Sequence, residues 1–218
     1  DSFVLKFAEN FPYKETRSLT SWIDHYTDKD SVFLANFPLT GSILAYGGRS
    51  VVTHPKYEDE DSRKIIRDYI SSLFEEGEES FYRFCFENGV DFFVFSKGTY
   101  ADRTVYSYRY VAGMEKPLPD REKSPAFLFE NSPYRLRYFG LCFENEKYRV
   151  FRVITEESIK RSSALFREAM QIFQEDGSSV EGLNVLYGAF LENPQSLAVR
   201  ILLRGKKKKM KSLLPHVD

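Results

Sequence analysis

The spacing of hydrophobic residues divides this chain into helical stripes and short, almost unbroken apolar runs. Residues 15–27 place Leu19, Trp22, Ile23 and Tyr26 at i, i+3, i+4 and i+7, one face of a helix that ends at the turn T-D-K-D. Ser31–Phe37 is nearly continuous apolar sequence, the pattern of a strand covered on both faces. Pro38 stops it, because proline has no N–H to give a ladder. Leu39–Tyr46 predicts a short helix, Gly47-Gly48 a turn and Ser50–Thr53 a second strand. Helical spacing returns over Asp61–Glu75, where Ile65, Ile66, Tyr69, Ile70, Leu73 and Phe74 form the apolar face. Asp59, Glu60 and Asp61 stand at its start, where the helix dipole favours negative charge. Glu78–Asn88 predicts another helix, closed by Asn88-Gly89 as a left-handed stop. Val90–Ser96 then reads as a third central strand.

Strand, helix, strand, helices, strand is the order of a parallel sheet with helical crossovers. The next stretch is less regular. T-V-Y-S-Y-R-Y-V-A-G fits either a strand or a helix, and M-E-K-P-L-P-D-R-E-K-S-P is a loop. Ser124-Pro125 opens a helix through Asn131, with proline in the first turn. Tyr134–Glu144 and Lys147–Thr155 alternate around Asn145-Glu146, predicting an antiparallel hairpin at the sheet edge. From Glu156 the pattern is helical only. Ile159, Ala164, Phe166, Ala169, Ile172 and Phe173 line one predicted helix. Leu183, Leu186, Tyr187, Phe190 and Leu191 line a second, and Leu197, Val199, Ile201 and Leu202 a third.

The expected architecture is therefore a small three-layer, Rossmann-like, mostly parallel α/β sheet with an antiparallel hairpin over residues 1–155. A helical appendage over 156–218 follows, ending in the basic run G-K-K-K-K-M-K. Those helices resemble one and a half tetratricopeptide units. A stable array needs about three repeats, which favours helices that cap the α/β domain. The basic run reads as a solvated tail or as a patch beside a membrane.

Composition sharpens this picture at three points. The chain has 218 residues and a formal net charge of -1, so no global field recruits nucleic acid. Its 20 Phe and 14 Tyr are an excess that either fills a Phe-rich core rimmed by Tyr or builds a stacking face for carbohydrate or peptide. Cys85 and Cys142 both sit among apolar residues, too few for a disulfide framework, and read as buried thiols, with a single bridge as the alternative in an oxidising compartment. No run approaches the length of a membrane span. The start D-S-F-V-L-K lies inside an amphipathic segment and reads as the beginning of an excised fragment.

Motifs for nucleotide binding, the serine nucleophile elbow, zinc proteolysis and CxxC chemistry are all missing from the sequence. Three histidines far apart do not suggest a metal centre, and no cofactor is expected. The triplets Asp28-Lys29-Asp30 and Asp59-Glu60-Asp61 precede a strand and open a helix, so they read as turn and helix-start acids. The better candidate is the loop leaving the first strand, with Asn36, Thr40 and Ser42. Open α/β sheets bind ligands at such carboxyl ends, although Thr40 or Ser42 equally serves as a helix cap. The second strand exits into His54, Lys56 and Tyr57 on the same rim, and Arg49, Tyr108, Arg109 and Tyr110 are placed to join them.

Four segments in order carry a family resemblance. They are S-W-I-D-H-Y-T-D-K-D-S-V-F-L-A-N-F-P, I-L-A-Y-G-G-R-S-V-V-T-H-P-K-Y-E, F-Y-R-F-C-F-E-N-G-V-D-F-F-V-F and Y-F-G-L-C-F-E-N-E-K-Y-R-V-F-R-V. Over about residues 15–155 the chain resembles the soluble C-terminal domain of polytopic membrane glycosyltransferases that use lipid-linked sugars. This is the oligosaccharyltransferase and protein-mannosyltransferase-like group. There a W-I-x-x-x-T-P-x-D-A-V-V-L-A helix-strand, a G-R-x-V-V strand, a G-V-D-Y-F-V strand and a Y-E-N-x-x-Y-R-V-Y-R-V hairpin recur. The resemblance implies a fragment on the extracytoplasmic (periplasmic) face of the cytoplasmic membrane, following the last membrane helix. Its implied partners are the rest of a membrane-embedded parent chain and a polyprenyl-phosphate sugar or a glycan or peptide acceptor. The family's catalytic acids lie in membrane-proximal loops that this chain does not contain. Its acceptor motif W-W-D-Y-G would fall near Asn36–Gly41, where this sequence reads N-F-P-L-T-G, so no catalytic residue transfers. The expected function is a non-catalytic domain that helps position acceptor or donor. A stand-alone module for an anionic or sugar ligand, and an interaction protein using the C-terminal helices, remain as alternatives.

Overall fold

The computed structural model describes residues 12–53, 59–74, 77–99 and 124–206. Val32–Ala35 (β1) lies between Ser50–Val51 (β2) and Phe92–Ser96 (β3), and is parallel to both. The hairpin Phe139–Glu144 (β4) and Tyr148–Val153 (β5) joins through β5, which runs antiparallel to β3. The sheet order is β2-β1-β3-β5-β4, so the hairpin does sit at an edge. Two pairings are parallel and two antiparallel, which makes the sheet mixed rather than mostly parallel.

Eight α-helices are present among the described residues. They are Tyr13–Tyr26 (α1), Phe37–Ser42 (α2), Glu60–Phe74 (α3), Glu78–Glu87 (α4), Pro125–Asn131 (α5), Glu156–Glu175 (α6), Val180–Glu192 (α7) and Leu197–Gly205 (α8). Several begin or end where local chemistry requires. Ser124 caps α5 by accepting from Phe127 N–H, with Pro125 in the first turn. Thr155 and Ser158 form a reciprocal capping box on α6. Asp59 accepts from Ser62 N–H at the start of α3, so that acidic triplet is a cap. Gly89, after α4, has φ +64°, a conformation glycine adopts at little cost. Two boundaries differ from the sequence reading. Phe37 and Pro38 open α2 instead of ending β1, since proline is tolerated in a first turn. Residues 133–135 form a 3₁₀ turn, so β4 begins only at Phe139.

Alternation along the strands separates two cores. Phe33, Ala35, Phe92, Val94, Phe143, Tyr148 and Val150 face one side, with α1, α2 and the C-terminal helices. Leu34, Phe93, Phe95, Phe139, Phe151 and Val153 face the other, with α3, α4 and α5. The second core accounts for much of the phenylalanine excess. Phe129 meets Phe93 at 4.8 Å, Phe139 at 5.1 Å and Phe151 at 4.8 Å between ring centres, each edge-on. In the first core the only tryptophan, Trp22, is fully buried against Phe143 and donates its indole N–H to Tyr187 Oη on α7 at 3.1 Å. Helices α6–α8 thus share one hydrophobic cluster with the sheet.

Helix orientation departs from the sequence reading at two places. On α6 the buried positions are Ser158, Ser162 and Ala169, while Ile159 and Ala164 are exposed. The helix turns its small residues inward because α7 approaches closely. Ser162 Oγ reaches Ala189 O at 2.8 Å, and a side chain at Gly182 would meet the Phe173 ring at 2.7 Å. On α8, Val199 and Leu203 are buried, whereas Leu197 and Ile201 are 70% and 61% exposed.

The cysteines are free and lie on opposite sides of the sheet. Cys142 sits where β4 slips register between Leu141 and Phe143, and its thiol contacts Gly140 O at 3.5 Å. Burial pushes the Cys142 thiol up to about 12, outweighing the Arg152 N–H and charge beside it, and pushes Cys85 well above its ordinary value. A buried thiol with a raised pKa offers little thiolate. In the native protein at about pH 8, both should resist iodoacetamide under conditions that alkylate them fully in urea. Intact-mass spectrometry reads the result, and fast native labelling of either would contradict it.

Candidate functional site

The connection that leaves β1 and the one that enters β3 pack on opposite faces of the sheet. Residues 37–47, linking β1 to β2, put Leu39 and Ile43 into the core shared with α1. Helices α3 and α4, linking β2 to β3, pack on the other face. Between the carboxyl ends of β1 and β3 the chain order therefore reverses, the place where open α/β sheets form a crevice.

Asn36 occupies this point. Its Oδ1 accepts Leu39 N–H, capping α2, and its Nδ2 donates to Ser96 Oγ at 2.6 Å across to the end of β3. Thr53, just past β2, donates to Ala35 O at 2.9 Å, tying the third exit to the first. Thr40 is fully buried and donates to Phe37 O, while Ser42 is half-buried at the end of α2. These groups hold the strand exits together. Beyond them, Gly98 N–H donates to Glu130 and Lys97 is paired with Glu144. Burial pushes the Glu144 carboxyl up, but its bonds to Lys97 and Arg149 outweigh that and hold it below its usual range.

Arg49 is not with Asn36 and Thr40. It is 1% exposed and points back toward the end of α1, donating to the carbonyls of Ile23, Asp24, Thr27 and Gly47 and to Thr27 Oγ1. His54, Lys56, Tyr57 and Arg109, together with Tyr108 and Tyr110, lie outside the described residues.

A polar cavity of about 520 Å³ opens at the opposite end of the strands, between the sheet and α6 and α7. Its charged groups form a chain. Arg152 donates to Asp91 at 2.8 Å and to Glu192 at 2.9 Å; Arg161 reaches Glu192 at 3.2 Å and Asp28 at 3.4 Å. Arg152 Nε is buried without a hydrogen-bond partner, and its guanidinium lies 5.0 Å over the Phe92 ring. The sequence reading missed this network. Its one local signal was a charged residue, Arg152, inside a strand covered on both faces, which demands a buried partner. Among the described residues no group of three or more His, Cys, Asp or Glu is placed to hold a metal ion.

A five-stranded mixed α/β sheet whose chain order reverses between β1 and β3 defines the class of this domain. Residues 5–153 match the Dpy19 family (Q-cell neuroblast polarisation), and the chain belongs to that family. The matched region takes in all five strands and ends at Val153, before α6. A curated relative, the probable C-mannosyltransferase DPY19L2 of Homo sapiens, is 26% identical over 144 residues, 66% of this chain and 19% of the relative. The chain thus spans about a fifth of that protein's length. The solved C-terminal globular domain of the oligosaccharyltransferase from Archaeoglobus fulgidus aligns at TM-score 0.47 and 13% identity, covering 63% of this chain and 95% of that one. The resemblance to a glycosyltransferase-associated domain, read from the four sequence segments, is upheld. Among the described residues no helix is long and apolar enough to cross a membrane.

Proposed function

We propose that this chain is the extracytoplasmic globular domain of a membrane-embedded glycosyltransferase of the Dpy19 family. It positions the acceptor or the lipid-phosphate sugar donor against a catalytic core carried elsewhere in the parent. The observation that carries this reading is the family match across the whole sheet, with a relative named as a probable C-mannosyltransferase five times as long as the matched piece. Residues 1–155 are then the family's Rossmann-like α/β domain and residues 156–218 a helical cap built against it. The ligand-facing side belongs to the crevice at the strand exits. Asn36, Thr40 and Thr53 set its floor, and His54, Lys56, Tyr57 and Arg109 supply an imidazole, two cations and a phenol suited to an anionic or hydroxyl-rich group.

Steady-state sugar transfer by the full-length parent protein tests the proposal, with a polyprenyl-phosphate mannose donor and a peptide acceptor. A positioning residue contributes binding that is equal in ground and transition states, so its loss raises KM more than it lowers kcat. Replacing His54 and Lys56 together with alanine should raise KM for donor or acceptor by about tenfold while kcat stays within about twofold. Unchanged KM for both substrates would overturn the assignment. So would loss of kcat at constant KM, which would make these residues part of the chemistry.

A further inference from the structure

The cavity between the sheet and α6 and α7 has no part in the reading above. It lies at the other end of the strands from the crevice, and its volume of about 520 Å³ suits a small ligand. Charged side chains of alternating sign run through it in the order Asp91, Arg152, Glu192, Arg161 and Asp28. Arg152 and Glu192 are buried, whereas Arg161 and Asp28 reach the surface. The chain of pairs is incomplete. Arg152 lines the cavity, is 7% exposed and keeps an Nε–H with no acceptor. A buried donor of this kind needs one. Asp30 and Asn184, both exposed, also line the cavity, and among the described residues neither side chain has a hydrogen-bond partner. The acidic triplet before β1 therefore contributes both its acids, Asp28 and Asp30, to one wall. Leu165, Val185 and Leu191 give the same space an apolar side.

We infer that this cavity binds an uncharged, hydroxyl-rich ring, a neutral saccharide. The donors and acceptors choose it. Carboxylates only accept and guanidiniums only donate, so a wall where they alternate needs a ligand that does both at closely spaced atoms. A hydroxyl donates and accepts at one oxygen, and neighbouring ring hydroxyls repeat this around the ligand. One of them set against Arg152 supplies the acceptor that Nε lacks, while others donate to Asp30 and Asp28. The C–H face of the ring gains by leaving water against Leu165 and Val185. Charged ligands fit less well. A phosphate would face four carboxylates, Asp28, Asp30, Asp91 and Glu192. An organic cation would answer those acids but would lie beside two guanidiniums and offer Arg152 no acceptor. The phosphate argument also separates this site from one for a lipid-phosphate donor. The inference concerns a second site and rests neither on the crevice nor on the transfer reaction.

Titration of the isotope-labelled 218-residue chain, followed by NMR of its backbone amides and Arg Nε–H groups, tests this. The probes are methyl mannoside, methyl glucoside and N-acetylglucosamine, with mannose phosphate and agmatine as the anionic and cationic comparisons. At least one neutral sugar should shift residues 28–31, 91, 152 and 184–188 together, with a Kd on the order of 1 mM for a ligand of this size. The Arg152 Nε–H signal should move and exchange more slowly with water, which a purely structural ion network would not show. Asp30→Ala, at an exposed position, should weaken binding about fivefold. Gly188→Leu should weaken it at least about tenfold by filling the space. A Cβ there would meet only Leu165 Cδ1, at 3.6 Å, and leucine favours a helix over glycine, so that variant should fold. Fluorescence of the buried Trp22 checks both variants. If no neutral sugar shifts the cavity residues, the proposal fails and water is the partner of Arg152. Full binding by a folded Gly188→Leu chain, or an unmoved Arg152 Nε–H, would place the sugar elsewhere. Tighter binding of agmatine or mannose phosphate than of every neutral sugar would assign the cavity to a charged ligand instead. None of these outcomes alters the transfer assay on His54 and Lys56, so the two readings fail separately.

Discussion

Replacing Glu192 with alanine should cost the protein about 3 kcal/mol of folding stability. Glu192 is 8% exposed, and its two oxygens take Arg152 on one side and Arg161 on the other. Arg152 is the group at risk. It is 7% exposed, its Nε already lacks a partner, and without Glu192 its charge would be held by Asp91 alone. Breaking a buried ion pair from one side costs about 3–5 kcal/mol, because the stranded charge keeps its desolvation penalty. The surviving Asp91 contact puts this case at the lower end. For a chain of this length the loss corresponds to a fall in Tm of roughly 6–12 °C. Arg161 differs, since it is half exposed and its Asp28 contact lies at the surface. Arg161→Ala should therefore cost less than about 1 kcal/mol. Urea unfolding followed by Trp22 fluorescence measures each variant. The diagnostic comparison is the double replacement Arg152→Met/Glu192→Leu, which removes both charges and should recover most of the loss. If Glu192→Ala moves the midpoint by less than the equivalent of about 1 kcal/mol, the network is a surface feature and not a buried tie.

This pair joins the family-matched sheet to the helices beyond it, and it shows where sequence reading stops. Elements fixed by local chemistry were visible in advance. The apolar run at Val32–Ala35, the stripe Leu19–Trp22–Ile23, the Ser124-Pro125 start and the hairpin at Asn145 each depend on neighbours within a few positions. The parallel alignment of β1, β2 and β3 followed from their helical crossovers. Partners distant in sequence were not visible. Arg152 and Glu192 are 40 positions apart, and no periodicity connects them. The inward face of α6 differs from the periodicity because small residues win where helices approach closely: Ser162 on α6, facing Gly182 on α7, buries there and Ile159 does not. On α8 the apolar positions outnumber what the core can cover, so periodicity alone cannot say which of Leu197, Val199 and Ile201 turns inward. The switch point between β1 and β3 was legible in outline, since it follows from strand order. Of the rim residues read from the sequence, Asn36, Thr40 and Ser42 stand at the β1 exit, and Arg49 does not accompany them.

Arg49 supplies the second large effect. A polar residue between a glycine turn and a strand looks like a rim residue, yet here its guanidinium is spent on Thr27 Oγ1 and on backbone carbonyls at the end of α1 and in the neighbouring turns. Asp24 O is one of the acceptors that a helix terminus leaves open, Thr27 O and Gly47 O lie in the turns around it, and buried acceptors of this kind need a donor. Arg49 also brings positive charge to the negative end of the helix dipole. Its contact with the Asp24 carboxylate, at 3.7 Å and half exposed, is the lesser part. Arg49→Met keeps most of the side-chain volume and removes every donor at once. Each hydrogen bond from a charged group is worth about 1.5–3 kcal/mol, and bonds that share one nitrogen do not add in full, so the expected loss is about 3–4 kcal/mol. Arg49→Lys should recover only a part, because an ammonium cannot span Gly47, Ile23 and Thr27 with a planar fork. Unfolding midpoints and backbone amide exchange at Ile23–Thr27 read the outcome, with protection lost first at the end of α1. A normally stable Arg49→Met protein with weakened ligand or substrate binding would reverse the assignment and return Arg49 to the crevice.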